Sequence, residues 1–168
     1  MILGNGTIGS VLTDREDRLY FASGVSNSSE TRRSEYEREK NLLLEQDRHR
    51  HLVYFSTLSV FYSDSLYVQH KKRMEKLIKE RFKTHTIMRL GNPTWGKNPV
   101  HLIPFLKKKL ENNEPLDVWD VYRYPLELKD FLHWVSLIPP WSCEMNVYTS
   151  VMKVNDILEH YVRPMVTK

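Results

Sequence analysis

The sequence predicts an α/β fold in which a parallel sheet is flanked by helices. Short apolar strand patterns alternate with longer amphipathic helical patterns through the N-terminal half of the chain, an order typical of βαβ units. The 168 residues suit one domain, and a hydrophobic fraction of 40% is enough for one core. Because strands joined by crossover helices run in the same direction, the predicted sheet is parallel.

The N-terminal half is predicted to hold four strands, which are apolar and carry β-branched or aromatic residues. The predicted strands are residues 1–3, 19–22, 51–55 and 86–90. The predicted helices are a short stretch to about Thr13, a long helix over residues 29–47 that Ser28 or Ser29 can cap, and a helix over residues 65–82. A carboxylate in the first turn stabilises a helix, and Glu30 would have that place in the long helix.

The pattern loosens after Gly96, where shorter elements of both kinds follow one another. The predicted elements are a helix over 100–110, a strand over 116–118, a helix over 126–137, a strand over 145–148 and a helix over 151–162. Two consecutive prolines, Pro139 and Pro140, end the middle helix. We expect residues 1–98 to form the main core and residues 99–168 a small C-terminal α+β region, packed together as a single compact unit.

Composition and charge argue against several kinds of partner. The 25 basic residues are offset by 21 acidic ones, and both signs mix along the predicted helices. The basic stretches 70–73 and 107–109 are therefore expected to be solvated helix faces, and no nucleic-acid partner is predicted. No apolar run approaches the roughly 20 residues that span a bilayer, and no signal peptide is visible, so no membrane partner is predicted.

The cysteine and histidine content points to a reducing compartment and to no metal site. Cys143 is the single cysteine, which rules out an internal disulfide, so the cytoplasm is expected. His49 and His51 are two residues apart, which is the wrong spacing for one helical face, and no carboxylate set accompanies them.

The glycines of Gly4-x-Gly6-x-x-Gly9 follow the first predicted strand and open a helical stretch. In this context the motif is typical of a dinucleotide-binding turn. The first glycine allows a tight turn, the second lets the backbone approach a pyrophosphate, and the third lets helix pack on strand. Free N–H groups at the start of the helix would then face the phosphates. Taken alone, the motif fits an ordinary glycine-rich turn equally well.

Ser56 and Thr57 end the third predicted strand, and Tyr67 and Lys71 follow on the next helix. Residues four apart share one face of a helix, and an ammonium beside a phenol lowers the phenol pKa from about 10. A hydroxyl such as that of Thr57 can hold a substrate oxygen between them. This set can move a proton on and off an alcohol while a nicotinamide takes the hydride. The alternative is a Tyr and a Lys that share an amphipathic helix by accident.

These and further segments, in collinear order, resemble the extended short-chain dehydrogenase/reductase family, the NAD-dependent epimerases and dehydratases of nucleotide sugars. Residues 55–61 (FSTLSVF) are similar to its ST-x-x-V-Y strand, and Tyr67 and Lys71 match its YxxxK motif. The other similar segments are 21–24 (FASG), 89–96 (RLGNPTWG), 123–131 (RYPLELKDF) and 146–148 (NVY).

The resemblance implies a truncated Rossmann-like sheet. Only nine residues separate Gly9 from Leu19, where the family has two more strands and their helices. The second and third family strands are therefore absent. The acidic residue that would bind the adenosine ribose is absent with them.

The resemblance also implies a set of site residues, a cofactor and an assembly. Catalytic roles fall to Thr57, Tyr67 and Lys71. The residues expected to bind NAD or NADP are Gly4, Gly6, Thr7, Ile8, Gly9, Ala22, Ser23, Gly24, Lys71 and Asn92. The residues expected to bind a nucleotide-sugar or other small-molecule substrate are Thr57, Asn92 and Arg123. Helices 29–47 and 65–82 would form a homodimer interface, as in the family.

Two functions are compatible with these observations. The first is an NAD(P)-dependent epimerase, dehydratase or reductase that acts on a nucleotide-sugar, or a related carbonyl or alcohol, by hydride and proton transfer. The second is a catalytically degenerate Rossmann-like scaffold that serves as a dimeric interaction or regulatory protein. The Thr/Tyr/Lys set favours the first function, and the missing adenosine half favours the second, since a fold does not by itself imply an activity.

Overall fold

The computed structural model describes residues 1–116 and 120–166. The chain divides into two compact units. The first comprises Met1–Arg89 and Ser136–Asn146, and the second comprises Leu90–Val135 and Val147–Lys168. The strand predicted over residues 116–118 lies almost entirely outside the described residues.

The first unit is built on a five-stranded parallel sheet, which confirms the predicted α/β class. Its strands, in chain order, are β1 (Ile2–Leu3), β2 (Arg18–Phe21), β3 (His51–Thr57), β4 (His85–Leu90) and β8 (Cys143–Val147). In space they follow that same order from one edge of the sheet to the other. Tyr20 of β2 is the parallel partner of Ile2 on one side and of Val53 on the other.

The helices α1 (Arg33–Leu44) and α2 (Leu66–Arg81) belong to this unit. Their apolar residues share one buried cluster with the strands. Its members are Leu19, Phe21, Leu43, Leu52, Tyr54, Met74, Ile78, Phe82 and Ile87. The cluster therefore joins β2, β3 and β4 to both helices, as expected when βαβ units bury their apolar faces against the sheet.

The first two helical predictions need correction. The stretch expected to reach Thr13 is a single 3₁₀ turn over Gly9–Val11. The long helix begins at Arg33 and not at residue 29. The carboxylate of Glu30 explains the late start, because it accepts hydrogen bonds from the backbone N–H groups of Thr31 and Arg32 at 3.0 and 2.9 Å. If Ser28 or Ser29 capped the helix, these two N–H groups would lie in its first turn. Here the side chain of Glu30, which lies in the preceding loop, accepts their hydrogen bonds instead.

The second unit is a mixture of short strands and helices, as predicted for the C-terminal region. Strands β5 (Asn92–Pro93) and β7 (Pro125–Leu126) pair in parallel, and β6 (Tyr122–Arg123) pairs antiparallel with β9 (Met152–Lys153). The helices are α3 (Leu102–Glu111), α4 (Leu128–Ser136), and a last helical stretch formed by α5 (Val154–Ile157), a π-helical segment (Leu158–Val162) and α6 (Arg163–Val166). Its buried apolar side chains include those of Ile103, Leu106, Val154, Ile157, Leu158 and Val162.

Within the described part of the chain, no helix is both long and apolar enough to span a bilayer.

Candidate functional site

The glycine turn after β1 folds against the end of β2. Gly4 has a φ of 110°, a conformation that favours glycine, and a Cβ there would lie 2.5 Å from the carbonyl oxygen of Ala22. A Cβ on Gly9 would overlap the carbonyl oxygen of Gly4. A Cβ on Gly6, by contrast, would meet no atom within 4 Å. Two glycines thus close the turn, and the third leaves open space beside its backbone, the arrangement a pyrophosphate requires.

The helix after this turn is shorter than the motif predicts. It consists of Gly9–Val11 alone, with Ile8 as its N-cap residue. The Ser10 N–H donates to the Gly6 carbonyl at 3.0 Å, so it closes the turn. A single turn has little dipole, so a bound phosphate would depend on the backbone N–H groups of the glycine turn itself.

The residues that follow β2 connect the turn to the helices. The carbonyl of Ser23 accepts a hydrogen bond from the Arg38 guanidinium of α1 at 3.2 Å. Gly24 lies against charged groups: a Cβ there would be 2.7 Å from Oε1 of Glu39 and 2.9 Å from Nζ of Lys71. Only a residue without a side chain fits at this point without moving them.

Thr57 and Tyr67 come together at the carboxyl end of β3. Ser65 caps α2 by accepting a hydrogen bond from the Val68 N–H at 3.3 Å, which places Tyr67 in the first turn of the helix. The hydroxyl of Thr57 accepts a hydrogen bond from the Ser59 N–H at 3.2 Å, and it is close enough to the Tyr67 phenol to act on the pKa of that phenol. The ring of Tyr67 is buried against Val68.

Lys71 lies one turn further along α2, and its ammonium is paired with a carboxylate. Its Nζ is 3.0 Å from Oε1 of Glu39 and 3.1 Å from the hydroxyl of Tyr54. The same nitrogen is 5.7 Å from the centre of the Tyr67 ring. Only 2% of the Lys71 side chain is exposed. The ammonium is therefore held by Glu39 inside the unit.

Glu39 on α1 is fully buried and accepts four hydrogen bonds. The Tyr54 hydroxyl and the Lys71 ammonium donate to Oε1 at 2.6 and 3.0 Å, and the Val25 N–H donates to Oε2 at 2.7 Å. Nε2 of His70 lies 2.9 Å from Oε2. Burial alone would raise the pKa of Glu39, but the Lys71 charge and these hydrogen bonds outweigh burial and hold the pKa below its ordinary value. Glu39 is thus a carboxylate.

The pKa of Tyr67 is raised above its ordinary value, because the phenol is buried and the negative charge of Glu39 is close. The nearby Thr57 hydroxyl acts in the opposite direction on the pKa and is outweighed. The Tyr–Lys spacing alone predicted a lowered pKa. The reversal has two physical causes that the spacing does not contain, first the burial of the phenol and then the charge of Glu39, which also pairs with the ammonium of Lys71. The catalytic roles of the three residues stay predictions.

Ser56, which precedes Thr57 on β3, belongs to a separate polar cluster. Its hydroxyl donates to Oε1 of Glu75 at 2.6 Å, and the same carboxylate accepts from Nε of Arg89 at 3.0 Å. The Arg89 guanidinium also donates to Glu144 at 2.6 Å. Successive side chains of a strand point to opposite faces, so Ser56 and Thr57 serve different neighbours.

Asn92 and Arg123, the remaining predicted site residues, belong to the second unit. The Asn92 side-chain oxygen accepts a hydrogen bond from the Tyr124 N–H at 3.4 Å. The Arg123 guanidinium donates to the carbonyl of Tyr122 at 2.9 Å. Their roles toward cofactor and substrate stay predictions.

Sequence reasoning missed Glu39 and Glu75, although both leave a signal. Glu39 is four residues before Leu43, so it shares the apolar face of α1, and Glu75 is three residues before Ile78 on the buried face of α2. A lone acidic residue in an apolar stripe indicates a buried charge, and such charges are almost always paired.

Among the described residues, no group of three His, Cys, Asp or Glu side chains could hold a metal ion. The glycine turn, Thr57 and Tyr67 stand at the same edge of the sheet, where the carboxyl ends of parallel strands meet, and the binding of a dinucleotide there stays a prediction. The carboxylates of the short segment between β1 and β2 have other partners. Asp14 pairs with the N-terminal ammonium and Asp17 with a neighbouring arginine, so neither takes the place of the ribose-binding acid.

No family model matches the sequence, and no curated protein sequence matches it either. Solved structures do match. The Bordetella bronchiseptica enzyme WbmG in complex with NAD and UDP is similar with a TM-score of 0.67 and 16% identity, over 90% of this chain and 56% of that one.

Two further solved structures show the same similarity. UDP-glucose 4-epimerase of Thermus thermophilus in complex with NAD has a TM-score of 0.66 and 15% identity, over 90% of this chain and 62% of that one. dTDP-4-dehydrorhamnose reductase of Bacillus anthracis in complex with NADP has a TM-score of 0.62 and 16% identity, over 86% of this chain and 62% of that one.

These similarities define the fold. The chain has the Rossmann-like α/β architecture found in NAD(P)-bound epimerases and reductases, in a shortened form. It spans only 54 to 62% of the length of the solved structures it matches. At 13 to 16% identity, the similarity does not extend from the fold to a particular reaction.

Proposed function

We propose that this protein is an NAD(P)-dependent oxidoreductase of the epimerase, dehydratase or reductase kind, which acts on a carbonyl or alcohol of a nucleotide-sugar by hydride and proton transfer. One observation carries the proposal: Thr57 ends β3 and Tyr67 lies in the first turn of α2, so both stand at the sheet edge that also carries the glycine turn, and the Thr57 hydroxyl is close enough to act on the Tyr67 pKa. A hydroxyl and a phenol so placed are the groups that proton transfer to a substrate oxygen needs.

Each residue would have a distinct task. The backbone of Gly4, Gly6 and Gly9 would bind the pyrophosphate, and the bound nicotinamide would supply or accept the hydride. Thr57 would hold the substrate oxygen, and Tyr67 would exchange a proton with it. Lys71 would act through its charge, which a buried carboxylate balances.

The nucleotide-sugar substrate is supported by the kind of protein that shares the fold. WbmG of Bordetella bronchiseptica was solved with UDP as well as NAD. In this chain, Asn92 and Arg123 are proposed to contact the substrate, as the sequence resemblance implies. The cofactor is NAD or NADP.

The proposal is tested by following oxidation of NADH and NADPH by absorbance, with UDP- and dTDP-linked 4-keto sugars as substrates. We expect turnover that Tyr67→Phe abolishes and that the matched variant Tyr148→Phe, at a half-exposed tyrosine of the second unit, leaves unchanged. Turnover that survives Tyr67→Phe would show that another group transfers the proton. Absence of turnover with every substrate would favour the second candidate.

The second candidate is a catalytically silent scaffold that acts as a dimeric interaction or regulatory protein. The observation that favours it is the pairing of Lys71 with Glu39, which leaves only 2% of the Lys71 side chain exposed. A homodimer through α1 and α2 belongs to this candidate. It predicts no thermal stabilisation by NAD, NADP or their reduced forms, whereas a ligand at a hundred times its Kd adds roughly 2.7 kcal/mol. Sedimentation would give the oligomeric state.

A further inference from the structure

We propose that Glu39 is a positioning residue of this site: by binding the Lys71 ammonium, it keeps Tyr67 as a protonated phenol, the form that donates a proton to a substrate carbonyl. This inference rests on the oxidoreductase function proposed above. It assigns a task to a buried carboxylate that the sequence motifs do not include.

The geometry fixes Glu39 more firmly than a chance ion pair would. Its two oxygens are held by groups from two separate elements and a loop: Tyr54 on β3, His70 and Lys71 on α2, and the Val25 N–H before α1. Every contact is between 2.6 and 3.0 Å, and the carboxylate is fully buried. A charge held by four groups in a dry setting cannot rotate away from Lys71 without leaving a buried donor unpaired.

The packing around Gly24, in the loop after β2, also indicates that Glu39 and Lys71 are held in place. A Cβ at this position would come within 3 Å of both the Glu39 carboxylate and the Lys71 ammonium. The loop after β2 therefore closes directly over the ion pair. The fold accommodates the Glu39–Lys71 pair, since the backbone of the loop passes beside it and the loop residue at that position is a glycine.

The consequence for Tyr67 follows first from the burial of its phenol and then from the charges that face it. The groups that face its phenol are Glu39 and Tyr36 from α1, Thr57 and Tyr62 from the end of β3 and the turn that follows, and Lys71 from its own helix. A lone ammonium would stabilise a phenolate here. Because the ammonium is balanced by a carboxylate, a phenolate would add a second negative charge to a buried pair that is already neutral.

A protonated Tyr67 can donate its phenolic proton to a substrate carbonyl oxygen. A reduced nicotinamide, when bound, would supply the hydride to the carbonyl carbon: the C=O double bond would become a C–O single bond, a C–H and an O–H bond would form, and the nicotinamide would be oxidised as the carbonyl is reduced to an alcohol. The Tyr67 phenolate left behind would recover its proton from solvent before the next turnover.

The experiment is a spectroscopic titration of Tyr67 in the full chain, with neither cofactor nor substrate present. Tyrosinate absorbance is followed from neutral pH to about pH 11, and the curve of Tyr67→Phe is subtracted from that of the wild type. We expect the difference to show no phenolate below the range in which exposed tyrosines ionise, about pH 10. A Tyr67 phenolate that forms below that range in the wild type would overturn the proposal, and this result does not depend on whether any Glu39 variant folds.

Glu39 variants test the cause. In Glu39→Gln, from which the curve of Glu39→Gln/Tyr67→Phe is subtracted, the ionisation midpoint of Tyr67 should fall by about one pH unit or more, so that phenolate appears at a pH within the titrated range at which the wild type shows none. Glu39→Asp keeps the carboxylate and should bring back the wild-type curve. Circular dichroism confirms that each variant is folded. An unchanged midpoint in folded Glu39→Gln would overturn the proposal, since a purely structural carboxylate would not move the titration of a neighbouring phenol.

Failure of the proposed function would look different. If no nucleotide-linked carbonyl is reduced but the titration behaves as expected, the oxidoreductase function fails while the control of Tyr67 by Glu39 stands. If turnover is found, the pH profile of the reduction rate gives a second readout. In the wild type the rate should stay constant to high pH. In Glu39→Gln the rate should begin to fall with rising pH at a lower pH than in the wild type. Identical profiles would count against Glu39 and leave the function intact.

Discussion

The ammonium of Lys71 is 3.0 Å from the carboxylate of Glu39, whereas it is 5.7 Å from the centre of the Tyr67 ring. The YxxxK spacing predicts that Lys71 acts on the phenol of Tyr67, but its ammonium is bound to Glu39 on the other helix. This pair ties α1 to α2 beneath the loop that follows β2. We expect it to contribute to the stability of the first unit, and its carboxylate is one of the charges that raise the Tyr67 pKa.

Removal of the carboxylate should be costly. Glu39→Gln leaves the Lys71 ammonium buried without a counter-charge, and breaking a buried pair in this way costs about 3 to 5 kcal/mol. Urea unfolding measures the change in the free energy of unfolding. The matched control is Glu37→Gln, at an exposed position of the same helix, where a change within about 0.5 kcal/mol is expected. Similar losses in both variants would mean that Glu39 is not held as described.

The two charges should be strongly coupled. Lys71→Met alone leaves Glu39 buried as an unpaired carboxylate, and it should destabilise the chain about as much as Glu39→Gln. The double variant Glu39→Gln/Lys71→Met removes both charges, so its cost should be smaller than the sum of the two single costs by about 1 to 3 kcal/mol. Additive costs in the unfolding cycle would indicate that the two side chains do not interact.

Gly24 and Gly6 should respond differently to the same methyl group. Gly24→Ala places a Cβ against the fixed Glu39–Lys71 pair and should cost about 1 to 3 kcal/mol. Gly6→Ala meets open space and should change the free energy of unfolding by less than about 0.5 kcal/mol. Thermal or urea unfolding of the two variants side by side gives the comparison, and an equal loss would contradict the close packing at Gly24.

The contribution of Glu39 to stability should be lost in acid. Its pKa in the folded chain is lowered from the ordinary value of 4.5, so the folded state binds fewer protons than the unfolded state as pH falls. The stabilisation is therefore complete well above pH 4.5 and declines below it. The gap in free energy of unfolding between the wild type and Glu39→Gln should narrow in this range, with His70→Asn in both proteins so that the neighbouring imidazole does not titrate. A difference in free energy of unfolding that stays constant or widens as pH falls would contradict a lowered pKa of Glu39 in the folded chain.

The parallel sheet could be predicted from the sequence because its signals are local: apolar strand patterns located β2, β3 and β4. The sequence also locates Thr57 at a strand end and Tyr67 in a capped helix, while their catalytic roles stay predictions. The long helix was predicted to start too early, since the sequence patterns treat Glu30 as a helix residue and do not show that its side chain would bind loop N–H groups.

The environment of Lys71 was not predictable in the same way. Glu39 is 32 residues before Lys71 in the chain, and their pairing depends on how α1 and α2 pack on the sheet. The spacing within one helix indicates which residues share a face, but not which charge on a neighbouring helix will meet them. The direction of the Tyr67 pKa therefore needed the tertiary structure.

Calorimetric titration with NADH and NADPH tests the proposed cofactor site most directly. The chain has the glycine turn after β1, and it has Tyr67 beside the carboxyl end of β3. Its sequence offers no residue for the acidic position that distinguishes a 2′-hydroxyl from a 2′-phosphate. We therefore expect weak binding of both cofactors with affinities within about tenfold, a difference of roughly 1.4 kcal/mol. Gly6→Ala, for which we expect little change in the free energy of unfolding, should abolish the heat of binding. No heat with either cofactor in the wild type, or binding that Gly6→Ala leaves unchanged, would contradict a dinucleotide site at this turn.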